Sequence, residues 1–279
     1  MPIGKIAGWV YSSAVTSRPR DRAPGHPYFA AGFQAFAHRG GSWPGVGENS
    51  LAAFVRAGEA GFSYLETDVH VTADEVLVAF HDESLERVTD GYGLIAEHTA
   101  AELAGIRIGG TDPIPLLAEL LEAFPRAYFN IDLKAPGAVA PLAALLQQTG
   151  AQQRVCVSSF SWRRISAFRR LAPEVATGLS RLGVVLLWLG LPGLTRLLRG
   201  EAAQVPSRFW RERIPLVTRR FVRTAHRHGI RVHVWTINDA PAMDALLDLG
   251  VDGIVTDEPE VLRTVLRQRG RWEEQEWQM

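Results

Sequence analysis

Two histidines, His38 and His81, three carboxylates, Glu66, Asp68 and Asp132, and two fixed cations, Arg39 and Lys134, lie in or directly after short runs of β-branched and aromatic residues. Alternate residues of a strand face one side, so Glu66 points with Asp68, and Asp132 with Lys134. Three carboxylates converging without a cysteine suit a hard divalent cation, Mg2+ or Ca2+. Ion pairs to Arg39 and Lys134 would compensate the same buried acids; of the two, the residue set favours the metal. Histidines beside such a cation titrate in the range that a general base and a general acid need. Arg39 offers a planar fork to two phosphate oxygens, and Lys134 a second positive charge. Taken singly, each histidine reads as a hydrogen-bonded strand end. Taken together, the set has the chemistry of phosphoryl transfer on a diester.

That chemistry needs elements that carry positions 38, 66, 68, 81, 132 and 134 to one place. Eight β-rich runs recur, at 33–38, 64–69, 128–133, 154–159, 175–180, 202–205, 231–236 and 253–256. Amphipathic stretches separate them, at 51–60, 116–124, 139–148, 161–171, 217–228 and 240–249, several closed by a glycine (Gly61, Gly150, Gly229, Gly250) placed as a helix C-cap. Eight parallel strands with helical crossovers predict a closed (β/α)8 barrel, an α/β fold whose chemistry gathers at the carboxyl ends of the strands. A further apolar run at 76–80 follows the second strand too closely for a crossover and must return as a hairpin. A turn centred between Ala73 and Asp74 sets Glu66 opposite His81 and Asp68 near Ala79. Residues 82–115, rich in Gly and Thr and without periodicity, read as an excursion on top of the barrel.

The 279 residues, 47% of them hydrophobic, suffice for one such barrel. Thirty basic and thirty acidic residues cancel, so no global field draws the chain to nucleic acid or to an anionic membrane, and an anionic substrate must be held by local charge. The lone cysteine, Cys156, sits in an apolar run as a buried strand residue, and a disulfide within the chain is excluded. Residues 1–22 make a poor signal peptide, which predicts a cytoplasmic protein. The uncharged stretch 182–194 contains Pro192 and three glycines and is too short to span a bilayer. It reads either as a buried crossover helix or as an apolar flap, flanked by Arg196 and Arg199, that touches a membrane or accepts an acyl chain. No Gly-x-Gly-x-x-Gly follows the first strand, so hydride transfer gains no support.

Seven segments occur in this order: Ala37-His-Arg-Gly-Gly41, Glu48-Asn-Ser50, Leu65-Glu-Thr-Asp-Val69, Phe80-His-Asp82, Asn130-Ile-Asp-Leu-Lys134, Val234-Trp-Thr-Ile-Asn238 and Gly250-Val-Asp-Gly-Ile-Val-Thr-Asp257. In order and approximate spacing the chain resembles the glycerophosphodiester phosphodiesterase family from about Ala35 to Leu266. The resemblance implies a TIM barrel over residues 33–268 with a small insertion after the second strand (about 72–115), an N-terminal extension (1–32) and a C-terminal tail (269–279). It implies His38 and His81 as the acid/base pair, Glu66, Asp68 and Asp132 as metal ligands, and Arg39 and Lys134 as phosphate holders. Glu48 would support the metal or Arg39, with Asn49 and Asp82 also in support. Asp132 stands where the family usually carries a glutamate, a shorter acid that shifts the cation by about one methylene. Trp235 either stacks on the glycerol or lies in the barrel wall, the pocket being the reading preferred, and Phe160 and Trp162 either line the same pocket or pack the next helix. The implied reaction is hydrolysis of a glycerophosphodiester to glycerol 3-phosphate and an alcohol; the flap reading of 182–194 would instead predict activity on lysophospholipids. The runner-up readings are a lysophospholipase D or sphingomyelinase-D type of activity and, outside enzymes, a degenerate barrel that binds phosphorylated ligands without turnover. The tail carries no functional reading.

Overall fold

The computed structural model describes residues 25–30, 32–190, 193, 198–209 and 214–272. In chain order the strands are β1 (Gln34–Ala37), β2 (Tyr64–Val71), β3 (Leu77–Ala79), β4 (Arg107–Ile108), β5 (Asp112–Pro113), β6 (Tyr128–Leu133), β7 (Val155–Ser158), β8 (Ala176–Thr177), β9 (Ala202–Pro206), β10 (Arg208–Phe209), β11 (Ile214–Pro215), β12 (Arg231–Trp235) and β13 (Gly253–Thr256). The helices are α1 (Leu51–Glu59), α2 (Ala100–Leu103), α3 (Leu117–Ala123), α4 (Val139–Thr149), α5 (Trp162–Leu171), α6 (Arg181–Leu189), α7 (Arg219–Arg227), α8 (Ala240–Leu249) and α9 (Pro259–Gln268).

Eight strands pair in parallel in the order β8-β7-β6-β2-β1-β13-β12-β9. The two edges meet through a parallel bridge between Gly178 and Ala202, where the Leu179 N–H donates to the Ala202 carbonyl at 2.7 Å. The ring therefore closes as the alternation of strands and helices requires, and the eight expected runs are its staves. Apolar residues on the outer faces of the strands pack against the helices, with Phe54, Leu65, Phe129, Ile131, Leu142, Ile165, Val232 and Leu262 wholly buried. Side-chain caps start the crossovers: Ser50, Ser161, Thr218 and Asp239 each accept a backbone N–H of the first turn of α1, α5, α7 and α8. Gly150 and Gly250 end α4 and α8 in the left-handed conformation that a residue with a Cβ resists.

The foot of the barrel is plugged by the segment that precedes β1. Tyr28 is fully buried, its ring edge-on to Tyr64 and Tyr128, and its carbonyl accepts hydrogen bonds from Gln34 Nε2 and Tyr64 Oη at 3.0 and 2.8 Å. Cys156 is buried in β7 beside this cluster, as its apolar setting predicts. The 82–115 excursion closes over a small core of its own, in which Phe80, Leu85, Ile95, Leu103, Ile108 and Ile114 are buried.

The hairpin differs from the expectation by one residue. Val69 pairs with Ala79 and His70 with Val78, so Asp68 lies level with Phe80, whose N–H donates to the Asp68 carbonyl at 3.0 Å. The turn holds one more residue than the symmetric reading allows, because Glu75 takes a left-handed φ of 62° while Thr72 and Val76 close the loop. Glu66 therefore does not face His81. Of the 182–194 stretch, residues 191, 192 and 194 lie outside the described residues, as do residues 1–24 and 273–279 of the two ends. Its first part forms α6, half of it a crossover helix with Gly183 and Leu187 buried and half an exposed apolar face. Among the described residues, no helix is long and apolar enough to cross a membrane.

Candidate active site

The turn after β1 brings the first functional pair into the mouth of the barrel. Arg39, Gly40 and Gly41 have positive φ values of 53°, 84° and 88°. A Cβ on Gly40 would lie 2.7 Å from the Cβ of Ala53 in α1, and one on Gly41 would lie 2.4 Å from Cγ of Pro259 in α9. Glycine is thus what lets this loop sit down between two helix starts. Arg39 has no such freedom, and its conformation costs on the order of 1 kcal/mol. Its contacts offset that cost: its N–H donates to Glu66 Oε2 at 3.1 Å, Nη1 donates to Glu48 Oε1 at 3.0 Å, and Nε lies 3.2 Å from Asp68 Oδ2. Asn49 donates to Asp68 Oδ2 at 3.3 Å and accepts from Thr67 Oγ1 at 2.8 Å, so this side chain also buttresses the carboxylates.

Strand register sets the acids side by side. Asp68 is the direct partner of Asp132 across β2 and β6, and Lys134 Nζ bridges them at 2.9 and 2.7 Å. Ser158 on β7 donates to Asp132 at 3.3 Å. Burial opposes the charge of Asp68, but Lys134 and Arg39 outweigh it and hold its pKa below the ordinary value. Burial likewise opposes protonation of Lys134, and Asp68 and Asp132 overcome it. Glu66 fares differently. Burial and the neighbouring Asp68 charge push its pKa up to about 7, against the pull of His38 and Arg39.

The two histidines are mounted alike. His38 Nδ1 lies 2.5 Å from Asp257 Oδ1, and its Nε2 faces Glu66 Oε2 at 3.7 Å. Asp257 is itself fixed by Asn238, which donates from Nδ2 at 2.8 Å and accepts the Asp257 N–H at 2.9 Å. Burial disfavours the His38 imidazolium, yet Glu66 and Asp257 together raise its pKa. His81 Nδ1 lies 2.5 Å from Asp82 Oδ1, and the His81 carbonyl accepts from His70 Nε2 at 3.1 Å. Arg87, from the excursion, donates to Glu48 through Nη2 at 2.6 Å and Nη1 at 3.1 Å, and to Asp82 through Nε. Burial works against ionisation of Glu48 and Asp82, and the hydrogen bonds from Arg87 reverse it and lower both pKa values.

His38, Arg39, Glu48, Asn49, Glu66, Asp68, Asp132 and Lys134 thus form one contiguous cluster, which reaches His81 and Asp82 through Arg87. Trp235 stands half-buried at the rim, edge-on to Phe160 at 5.7 Å, and Lys134 Nζ lies 6.0 Å from the Phe160 ring centre. Trp162 is exposed and so does not pack the helix it begins. Sequence reasoning missed Asp257 and Arg87. Asp257 carried a signal, as an acid at the end of the last strand, which a closed barrel sets beside the first. Arg87 carried none, since nothing in its aperiodic segment marks which basic residue turns inward.

The ion pairs to Arg39 and Lys134 weighed against a metal are present at Asp68 and Asp132. They do not balance the site. Six carboxylates (Glu48, Glu66, Asp68, Asp82, Asp132, Asp257) surround three permanent cations (Arg39, Arg87, Lys134). A phosphodiester anion entering such a mouth is repelled unless further positive charge accompanies it. The donor set is all oxygen, which fits a hard divalent cation. Among the described residues, no three of these side chains are already gathered as a ligand cage.

Comparison with known proteins bears on the family and the fold. The model described as the Glycerophosphoryl diester phosphodiesterase family matches residues 38–261. A probable glycerophosphodiester phosphodiesterase 2 of Mycobacterium tuberculosis is 36% identical, over 86% of this chain and 92% of its own. A glycerophosphodiester phosphodiesterase of Caldanaerobacter subterraneus is 33% identical, over 84% and 98%. The human lysophospholipase D GDPD1 is 28% identical, over 82% and 85%. Among solved structures, an Oleispira antarctica phosphodiesterase in complex with the product sn-glycerol-3-phosphate superposes with a TM-score of 0.71 and 26% identity, covering 84% of this chain and 96% of that one.

Proposed function

We propose, for a chain that belongs to the glycerophosphoryl diester phosphodiesterase family and is a phosphoric diester hydrolase, metal-dependent cleavage of glycerophosphodiesters to glycerol 3-phosphate and an alcohol, with His38 and His81 moving the protons. The observation that carries this reading is the matched mounting of the two histidines. Each gives its Nδ1 to a carboxylate, Asp257 or Asp82, which leaves each Nε2 to take up or release a proton at the substrate. One histidine removes a proton from the attacking oxygen, that of a water or of a neighbouring substrate hydroxyl, as it bonds to phosphorus; where the hydroxyl attacks, a water then opens the cyclic phosphate to give glycerol 3-phosphate. The other protonates the alcohol oxygen as the old P–O bond breaks, so the alcohol leaves neutral.

Glu66, Asp68 and Asp132 would hold the divalent ion, Mg2+ or Ca2+, with Glu48 in support. When bound, the ion supplies the positive charge that offsets the diester and the added charge of its transition state. Arg39 presents its guanidinium to phosphate oxygens, and Lys134 adds a point charge. Trp235 offers an apolar face to the organic part of the diester. The test is hydrolysis of glycerophosphocholine by EDTA-stripped protein with Mg2+ or Ca2+ restored. Metal-dependent release of glycerol 3-phosphate is expected. No turnover by folded protein with either ion would sink the reading in favour of a non-catalytic binder.

A second reading, turnover of lysophospholipids, is favoured by the exposed apolar residues beside Trp235, Phe160 above all, and by the name of the human relative. Lysophosphatidylcholine cleaved faster than glycerophosphocholine would support it, and the reverse order would count against it. Peripheral contact with a membrane through α6 is compatible with either substrate.

A further inference from the structure

The helix α6 is apolar on every side yet only half covered. Between Leu182 and Leu189 there is no charged or polar side chain. Gly183 and Leu187, one turn apart, fasten the helix to the barrel, and Ser180 caps its start. The opposite stripe, Leu182, Val185 and Leu189 with Trp188 beside it, faces water, with Leu182 64% and Val185 50% exposed. A helix on the surface of a protein that stays in water carries a polar outer face, and this one does not. Because α6 follows β8, its first turn rises from the mouth of the barrel, and there Phe160 and the 60% exposed Trp162 extend the apolar surface across the neighbouring loop.

Charge says what would cover it. The chain as a whole is neutral, but residues 161–220 contain twelve arginines against three glutamates, with no lysine or aspartate. Two of these arginines lie against the exposed aromatics: Arg181 Cζ is 5.0 Å from the Phe160 ring centre, and Arg163 Cζ is 5.7 Å from that of Trp162. An apolar body capped by a guanidinium is the arrangement that settles at a bilayer boundary, with the ring among the acyl chains and the cation at the level of the phosphates. A second copy of this face would bring arginine against arginine, which opposes self-association.

We propose that the outer face of α6, with Phe160, Trp162 and their arginines, docks on an anionic lipid bilayer and sets the mouth of the barrel at the membrane surface. The inference takes the membrane contact named above and commits it to one surface and one charge class. It does not depend on which diester is cleaved.

The test is co-sedimentation of the full chain with vesicles of phosphatidylcholine alone and of phosphatidylcholine mixed with phosphatidylglycerol. Binding to the mixed vesicles is expected to be at least about 10-fold stronger and to weaken as salt is raised. The variant Leu182→Ser/Val185→Ser/Leu189→Ser, all on the exposed side, should lose about 10-fold or more in binding while its thermal unfolding and its hydrolysis of a water-soluble glycerophosphodiester stay as they were. Arg163→Glu/Arg181→Glu should remove the preference for the mixed vesicles. Equal binding to both vesicle types, no binding to either, unchanged binding by the serine variant, or a dimer that the serine variant abolishes would each overturn the proposal. Failure of diester hydrolysis alongside intact vesicle binding would count against the proposed reaction and leave the docking surface standing.

Discussion

His38 and Asp257, 219 residues apart in the chain, meet at 2.5 Å between Nδ1 and Oδ1. The contact exists because the ring closes β1 against β13, and it fixes which imidazole nitrogen faces the mouth. Asp257→Asn is expected to lower kcat by roughly 10²-fold or more, since the wrong tautomer or ring orientation removes one proton-transfer partner. KM should change little. Steady-state kinetics of a soluble diester decide this, and a kcat within twofold of the parent would show that Asp257 is only packing.

Arg87 should behave as a positioning residue. Arg87→Met leaves Glu48 and Asp82 without their shared guanidinium. Both carboxylates now have pKa values held below the ordinary range, so they stay ionised to lower pH; without Arg87 those values rise. The acid limb of kcat/KM is therefore expected to move to higher pH, with activity at neutral pH down about 10-fold. Arg87→Lys should restore part of it. A pH profile superimposable on the parent would refute the role.

Metal binding should be visible without turnover. Titration calorimetry of EDTA-stripped protein with Mg2+ or Ca2+ is expected to give a binding isotherm that Asp68→Asn and Asp132→Asn weaken. A hundredfold excess of ion over its Kd should stabilise the fold by about 3 kcal/mol. For a chain of this size that is roughly 6–12 °C in Tm. An unchanged melting curve at millimolar ion would count against the assigned ligands.

The barrel also carries an acid-sensitive element away from the chemistry. His233 is fully buried and gives its Nε2 to Gln34 Oε1 at 2.6 Å, and burial pushes its pKa from 6.5 down to about 4. In the unfolded chain it binds a proton near pH 6.5, so between about 6.5 and 4 the unfolded state holds more protons than the folded one. Its contribution is complete above about pH 6.5 and falls as the pH drops towards 4, by up to about 3 kcal/mol. Urea unfolding across that range should show the loss, and His233→Gln should flatten the slope even if it is less stable throughout.

Much of this site is legible in the sequence. His38, Asp132 and Lys134 stand at strand ends and Glu66 and Asp68 within the second strand, and the two-residue period of a strand with the rule that barrel chemistry sits at carboxyl ends places them together. The hairpin register could not be read the same way. It turns on Glu75 adopting φ 62°, and nothing about a glutamate announces a left-handed turn position. Asp257 needed the knowledge that the last strand closes on the first. The α6 segment stayed ambiguous because a helix apolar on every side has no periodicity to show which half is covered.

The ring is not equally tied all the way round. β2 and β6 share six registered pairs, whereas β8 has two residues and meets β9 at one bridge, Gly178 with Ala202, flanked by the Glu201 N–H to Thr177 and Leu179 N–H to Ala202 hydrogen bonds. The loosely joined staves lie across the ring from His38, Arg39, Glu66 and Asp68, and they carry the apolar rim of α6. A protein arranged in this way can exchange or lengthen the segment between β8 and β9, and so change the company its entrance keeps, without retuning the reaction centre on the far wall.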